Sequence, residues 1–238
     1  MKNINVQINR LYHQLSPAFK KRCSEGFLPF LSPKALETIR ANQNHCLDRL
    51  NALTKATALE GQPISRVIEA TYIDCSKTHL YNYASQAWNN DFFLSGLTPF
   101  QMEIPPALKA AIQADFGTVD EFQQQWEAHA EHLFGVGWTW LIRNEEGKLQ
   151  IVCTVLGASP SMHPGIRKRN ALSVPSLLGQ PVLQRVPLLG LSLWEHAYLP
   201  DYGIVGRREY IANYWKAVDW ERVAGYLSML DSSSGLSN

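Results

Sequence analysis

Residues 192–220 read SLWEHAYLPDYGIVGRREYIANYWKAVDW, and the interpretation of the whole chain starts from this stretch. Its first residues close a mostly apolar run, 186–194, which predicts a strand covered on both faces. After Trp194-Glu195-His196 the pattern turns helical and aromatic-rich. Upstream, residues 138–142 alternate around large aromatics and predict another strand. Asn144-Glu145-Glu146-Gly147 predicts a hairpin turn, with a return strand at 149–156.

Everything before Gly135-Val136-Gly137 is helical in pattern. Residues 26–31 predict an extended apolar lead-in. Ser32-Pro33 then starts a helix, with proline at the first helical position. Ala35, Leu36, Ile39, Leu47, Leu50 and Leu53 recur mostly three or four apart, which buries one face. Gly61 and Pro63 interrupt, a shorter helix fits 64–72, and a third fits 78–95, ended by Gly96 and Pro99. The two long helices predict a helical hairpin. Pro105 opens another helix that Gly117 ends. Thr118 with Glu121 three residues later predicts a capping box, followed by Phe122, Trp126 and Leu133. A last helix after Trp220 is expected to reach about 230, with DSSSGLSN as a disordered tail. Helices, then a short antiparallel sheet of three strands, then helices make an α+β pattern. The expected division is a basic arm or targeting segment at 1–24, a helical hairpin domain at 25–98, a C-terminal α/β domain at 99–230 and a tail at 231–238.

The 238 residues suffice for one domain or two small ones packed together. No apolar run approaches about 18 residues, so no transmembrane helix and no membrane partner are expected. Net charge is +1, which excludes a polycation, but the charge is unevenly placed. Residues 1–24 carry Lys2, Arg10, Lys20, Lys21 and Arg22 and no acid. From Gly147 to Trp194 there is again no acid, while Lys148, Arg167, Lys168, Arg169 and Arg185 are present. The segment at 158–185 is too long for a plain hairpin loop, and loops of this length are often functional. The four cysteines lack CxxC spacing and are read as reduced thiols.

Three anchors together resemble the iron/manganese superoxide dismutases over roughly residues 28–227. They are ASQAWNNDFF at 84–93, Phe116-Gly117 through the FGVGWTWL run at 134–141, and the Trp194-Glu195-His196-Ala197-Tyr198 region with Tyr210, Trp215, Val218, Asp219 and Trp220. The resemblance implies that family's α+β fold and a redox metal held by three His and one Asp, a mixed nitrogen and carboxylate set suited to iron or manganese. The matching positions depart from it. The first His falls at Thr38 or Ile39, the second at Asn90, and the Asp at Ser192. His196 alone remains, so no metal and no cofactor are expected. His45 and His79 are the other helix histidines that could be offered as ligands, and their spacing does not fit. Gln86 matches the family's outer-sphere glutamine and, without a metal, becomes a buried polar contact. Trp138, Trp140, Trp194 and Trp215 are expected to fill the core around the lost site. The family's Glu in this motif crosses a two-fold interface, so Glu195 and His196 are expected at a dimer interface.

A dismutase fold without its ligands, with basic segments, looks like the paired proteins of this fold in the fungal mitochondrial small ribosomal subunit. That resemblance implies a non-catalytic structural protein of the mitochondrial matrix ribosome. Its partners would be a paralogous dismutase-fold protein as a heterodimer and other small-subunit proteins. Ribosomal RNA would be a further partner, with Arg167, Lys168, Arg169, Lys20, Lys21 and Arg22 as contacts either to RNA or to neighbouring ribosomal proteins. Two alternatives stand beside it: a divergent active dismutase, and a free-standing pseudoenzyme that dimerises with a dismutase-like partner.

Overall fold

The computed structural model describes residues 25–160 and 185–234. Ser32 caps the first helix, α1 (Pro33–Thr54), accepting from the Ala35 N–H, and its buried stripe is Ala35, Leu36, Ile39, Gln43, Cys46, Leu47 and Leu50. A short α2 (Ile64–Thr71) and a 3₁₀ turn at Cys75–Lys77 lead into α3 (Thr78–Ser95). Helices α1 and α3 pack together as the expected hairpin. α4 (Pro106–Phe116) ends at Gly117, where φ is +91°. Any residue with a Cβ would be strained there. α5 (Val119–His132) follows, with Thr118 accepting from the Glu121 N–H at 3.0 Å. The reciprocal half of the box differs: Thr118 Oγ1 itself donates to Glu121 Oε2 at 2.9 Å.

Strands β1 (Gly137–Arg143), β2 (Leu149–Val155) and β3 (Val186–Ser192) form an antiparallel sheet in the order β2-β1-β3. The fold is thus the α+β arrangement expected. β1 is central, and its Trp138, Trp140, Leu141 and Ile142 are wholly buried. β3 stops at Ser192, two residues short of the expected run: Leu193 still donates to Gly137 O, and Trp194 stands at the N-cap position of the next helix. The chain closes with α6 (Glu195–Tyr202), α7 (Arg207–Tyr214) and α8 (Trp220–Ser234).

Two expectations are corrected. Residues 26–31 are a tight turn, not an extended lead-in. Phe27 bridges Leu31, and Phe30 donates its N–H to Phe27 O. The turn drives Phe30 into the core, stacked on Tyr210 at 4.9 Å. Residues 231–234, expected in a disordered tail, continue α8. Ser232 Oγ donates to Ser228 O at 2.9 Å and Asp231 pairs with Arg143 at 2.7 Å, which anchors the extra turn. Residues 235–238 lie outside the described residues, as do 161–184, most of the basic insertion.

Long-range polar contacts tie the N-terminal turn to the final helices. Asp201 accepts from the Ser32 N–H at 2.7 Å and from Ser32 Oγ at 2.5 Å, and Tyr202 donates to Phe30 O. Among the described residues Cys46, Cys75 and Cys153 are free thiols. No helix there is long and apolar enough to cross a membrane.

Candidate functional site

The positions to which the resemblance assigns ligands meet where α1, α3, β1, β3 and the start of α6 pack together. On α3 the residues one turn apart face inward. Ser85, Asn89 and Asn90 are wholly buried and Gln86 is 6% exposed. Asn89 donates to Gly157 O and Ala158 O, both at 3.2 Å, and Ser85 Oγ donates to Gly157 O. These bonds hold the end of β2 against the helix. On α1, Gln43 Nε2 donates to Ala87 O at 2.9 Å, and Asn42 Oδ1 accepts from Asn90 Nδ2 at 3.1 Å.

Each expected position has a definite state. Thr38 is half-buried and its hydroxyl donates to Lys34 O within its own helix at 3.1 Å. Ile39 is wholly buried and offers only hydrocarbon. Asn90 uses its amide nitrogen on Asn42, and its Oδ1 has no protein partner. Ser192 is buried, and its Oγ accepts from the Trp194 N–H at 3.4 Å while its carbonyl accepts from Tyr210 OH at 2.8 Å. His196 sits in the first turn of α6, with its ring 5.7 Å from that of Trp194. Its Nε2 is buried without a protein partner, and burial pushes its pKa down to about 4. The imidazole is therefore neutral at physiological pH. Glu195 is exposed beside it.

His45 and His79 lie at the surface, and His45 packs edge-on against Tyr83 at 5.9 Å. Trp138 and Trp140 stack at 5.4 Å inside the layer. Trp215 packs elsewhere than the expectation put it: it stacks on Trp220 at 5.9 Å and donates to Glu127 at 3.0 Å. Arg167, Lys168, Arg169, Lys20, Lys21 and Arg22 lie outside the described residues.

The fit to a redox metal fails on donor chemistry. Of the four positions one is an imidazole. The others are a carboxamide, a hydroxyl already accepting a hydrogen bond, and Thr38 or Ile39. Among the described residues no three His, Cys, Asp or Glu come together in a metal-binding group. Among the described residues the buried polar side chains are Gln43, Thr54, Thr71, Ser85, Gln86, Asn89, Asn90, Thr98, Thr139, Thr154, Ser159 and Ser192, all neutral. Such neutral groups offer a divalent ion little compensation for its lost hydration, which costs several kcal/mol or more. The residues present do not fit iron or manganese.

Sequence reasoning passed over Gln43 and Asn42. The signal was available for Gln43, which falls on the apolar stripe of α1 between Ile39 and Leu47. Asn42 carries no such mark. Arg207 was also missed. It spans to the far end of α5, donating to Leu133 O at 2.7 Å, Gly135 O at 2.9 Å and Ala130 O at 3.2 Å.

Comparison with known proteins agrees with the architecture. Residues 104–226 match the iron/manganese superoxide dismutases, C-terminal domain. The chain is 32% identical over 206 residues to the iron superoxide dismutase of Salmonella typhimurium, covering 86% of this chain and 93% of that protein. It is 31% identical over 212 residues to small ribosomal subunit protein mS42 of Schizosaccharomyces pombe, covering 85% and 90%. It is 28% identical over 209 residues to small ribosomal subunit protein mS43 of the same yeast, covering 82% and 78%. With the sheet order, the helical hairpin and the Trp194-Glu195-His196 motif in place, the chain belongs to the iron/manganese superoxide dismutase family.

Proposed function

We propose that this chain is a non-catalytic, structural component of the mitochondrial small ribosomal subunit, built on a dismutase fold that has lost its metal site. The observation that carries the reading is the donor set, in which His196 is left alone in a neutral buried layer. A dismutase must hold a metal through two oxidation states, and among the described residues no group of His, Cys, Asp or Glu replaces the missing donors. The likeness to two different small ribosomal subunit proteins supplies the alternative use of the fold. On this reading the partners are neighbouring small-subunit proteins and a paralogous dismutase-fold chain, with Glu195 and His196 at the shared interface. Arg167, Lys168, Arg169 and the Lys20-Lys21-Arg22 run would neutralise RNA phosphates without a sequence code.

The competing reading, a divergent active dismutase, draws on an equally strong likeness to iron superoxide dismutases. The donor chemistry weighs against it. Native mitochondrial particles separated on a sucrose gradient at moderate salt decide between the two. The structural reading expects the chain to travel with the small subunit and carry no stoichiometric iron or manganese. A dimer near the top of the gradient with about one metal per chain would restore the enzyme.

A further inference from the structure

Buried polar groups in native proteins are nearly always hydrogen-bonded, to protein or to ordered water. In the layer described above several are not satisfied by protein. Both amide atoms of Gln86, the Oδ1 of Asn90, the indole N–H of Trp138 and the Nε2 of His196 are buried without a protein partner. Gln86 and Asn90 sit one turn apart on the inward face of α3. Trp138 packs edge-on against Phe93 of the same helix, their rings 6.2 Å apart, and lies opposite Ser192 on β3. His196 follows Ser192 by four residues, at the start of the helix that packs on α1. The unsatisfied atoms thus belong to elements that converge on one interior layer.

Their chemistry selects the ligand. Gln86 Oε1 and Asn90 Oδ1 accept. Gln86 Nε2 and Trp138 Nε1 donate. His196 Nε2 does either, according to tautomer. No charged side chain is fully buried among the described residues. A small neutral molecule that both donates and accepts matches this set of donors and acceptors. Leaving each such group unpaired would cost about 1–3 kcal/mol. A water with two to four partners removes that cost at small entropic expense.

We infer that this layer binds ordered water, held by Gln86, Asn90, Trp138 and His196, at the place where its relatives of the dismutase family would hold a metal. The inference concerns the isolated chain and is independent of the ribosomal reading.

The test is a crystal structure of the full chain at about 1.5 Å, grown after incubation with excess iron(II) or manganese(II), with anomalous data at the metal edge. The expected result is a well-ordered water within about 3.2 Å of at least two of the four side chains and no anomalous peak. Gln86→Leu in the same crystals should lose that water while the fold is kept. Should Gln86→Leu not crystallise, water-to-indole cross-relaxation at the Trp138 N–H of the unaltered chain gives the same reading, with a long-lived water expected. An anomalous peak between these residues overturns the inference. So does a dry layer in which Gln86 pairs directly with the Trp138 indole and no water transfer is seen.

Discussion

Replacing Arg207 with alanine tests how the two ends of this fold are joined. One guanidinium nitrogen donates to Gly135 O and the other to Leu133 O and Ala130 O, at 2.7–3.2 Å. Those carbonyls belong to the last turn and exit of α5, where a helix leaves its carbonyls unpaired. A cation there also complements the helix dipole, by up to about 2 kcal/mol in part-buried geometry. A hydrogen bond to a charged group contributes about 1.5–3 kcal/mol. The three share one side chain, and Gly135 is exposed enough for water to replace the arginine. We therefore expect a loss of about 3 kcal/mol, or roughly 6–12 °C in Tm for a chain of this size. Lysine restores the charge but not the planar fork and should recover about half of that. Urea denaturation with an unchanged m-value measures both variants. A loss below about 1 kcal/mol for Arg207→Ala would refute the reasoning, because the carbonyls would then be as well served by solvent.

Three further outcomes are expected. Stability should fall as pH drops from about 6.5 towards 4, because the unfolded chain protonates His196 at its ordinary pKa while the folded chain resists to about 4. The full effect is about 3 kcal/mol. Asp91, whose pKa burial raises to about 6, works in the opposite sense in an overlapping window. The measurement is therefore the pH dependence of the difference between the unaltered chain and His196→Phe, and a flat difference contradicts the assignment. Gly190→Ala should cost about 1–3 kcal/mol by overpacking, since a Cβ would come within 2.5–2.7 Å of the Trp140 ring; a neutral result in thermal melting would mean that β3 shifts freely. Refolding with excess iron(II) or manganese(II), followed by desalting and mass spectrometry, should leave well under one metal per chain and an unchanged Tm, and a rise in both is the contrary result.

Much of the architecture was legible because it is local. Ser32-Pro33 and Thr118 mark helix starts by the capping chemistry of their own side chains. The turn at 144–147 and the alternation in 138–142 mark the hairpin. The departures from the family's expected donor set could be read there too, because ligand identity is a property of individual side chains: Asn90 carries a carboxamide and Ser192 a hydroxyl where the resemblance expects an imidazole and a carboxylate. Local patterns failed at 26–31, where an apolar run that looks extended turns back on itself so that Phe30 reaches Tyr210, and at 231–234, where an ion pair with Arg143 lengthens a helix.

Whether another residue had taken over the missing ligands was a question for the tertiary structure alone. Asn42 meets Asn90 across 48 residues and Ser32 meets Asp201 across 169, and no periodicity encodes such pairs. Packing placed His45 and His79 at the surface, left His196 neutral, and buried Gln86 and Asn90 side by side on the inward face of α3. The sequence determined which donors exist in this chain. The fold determined where they stand, because the field that an ion would meet is the sum over every element packed around it.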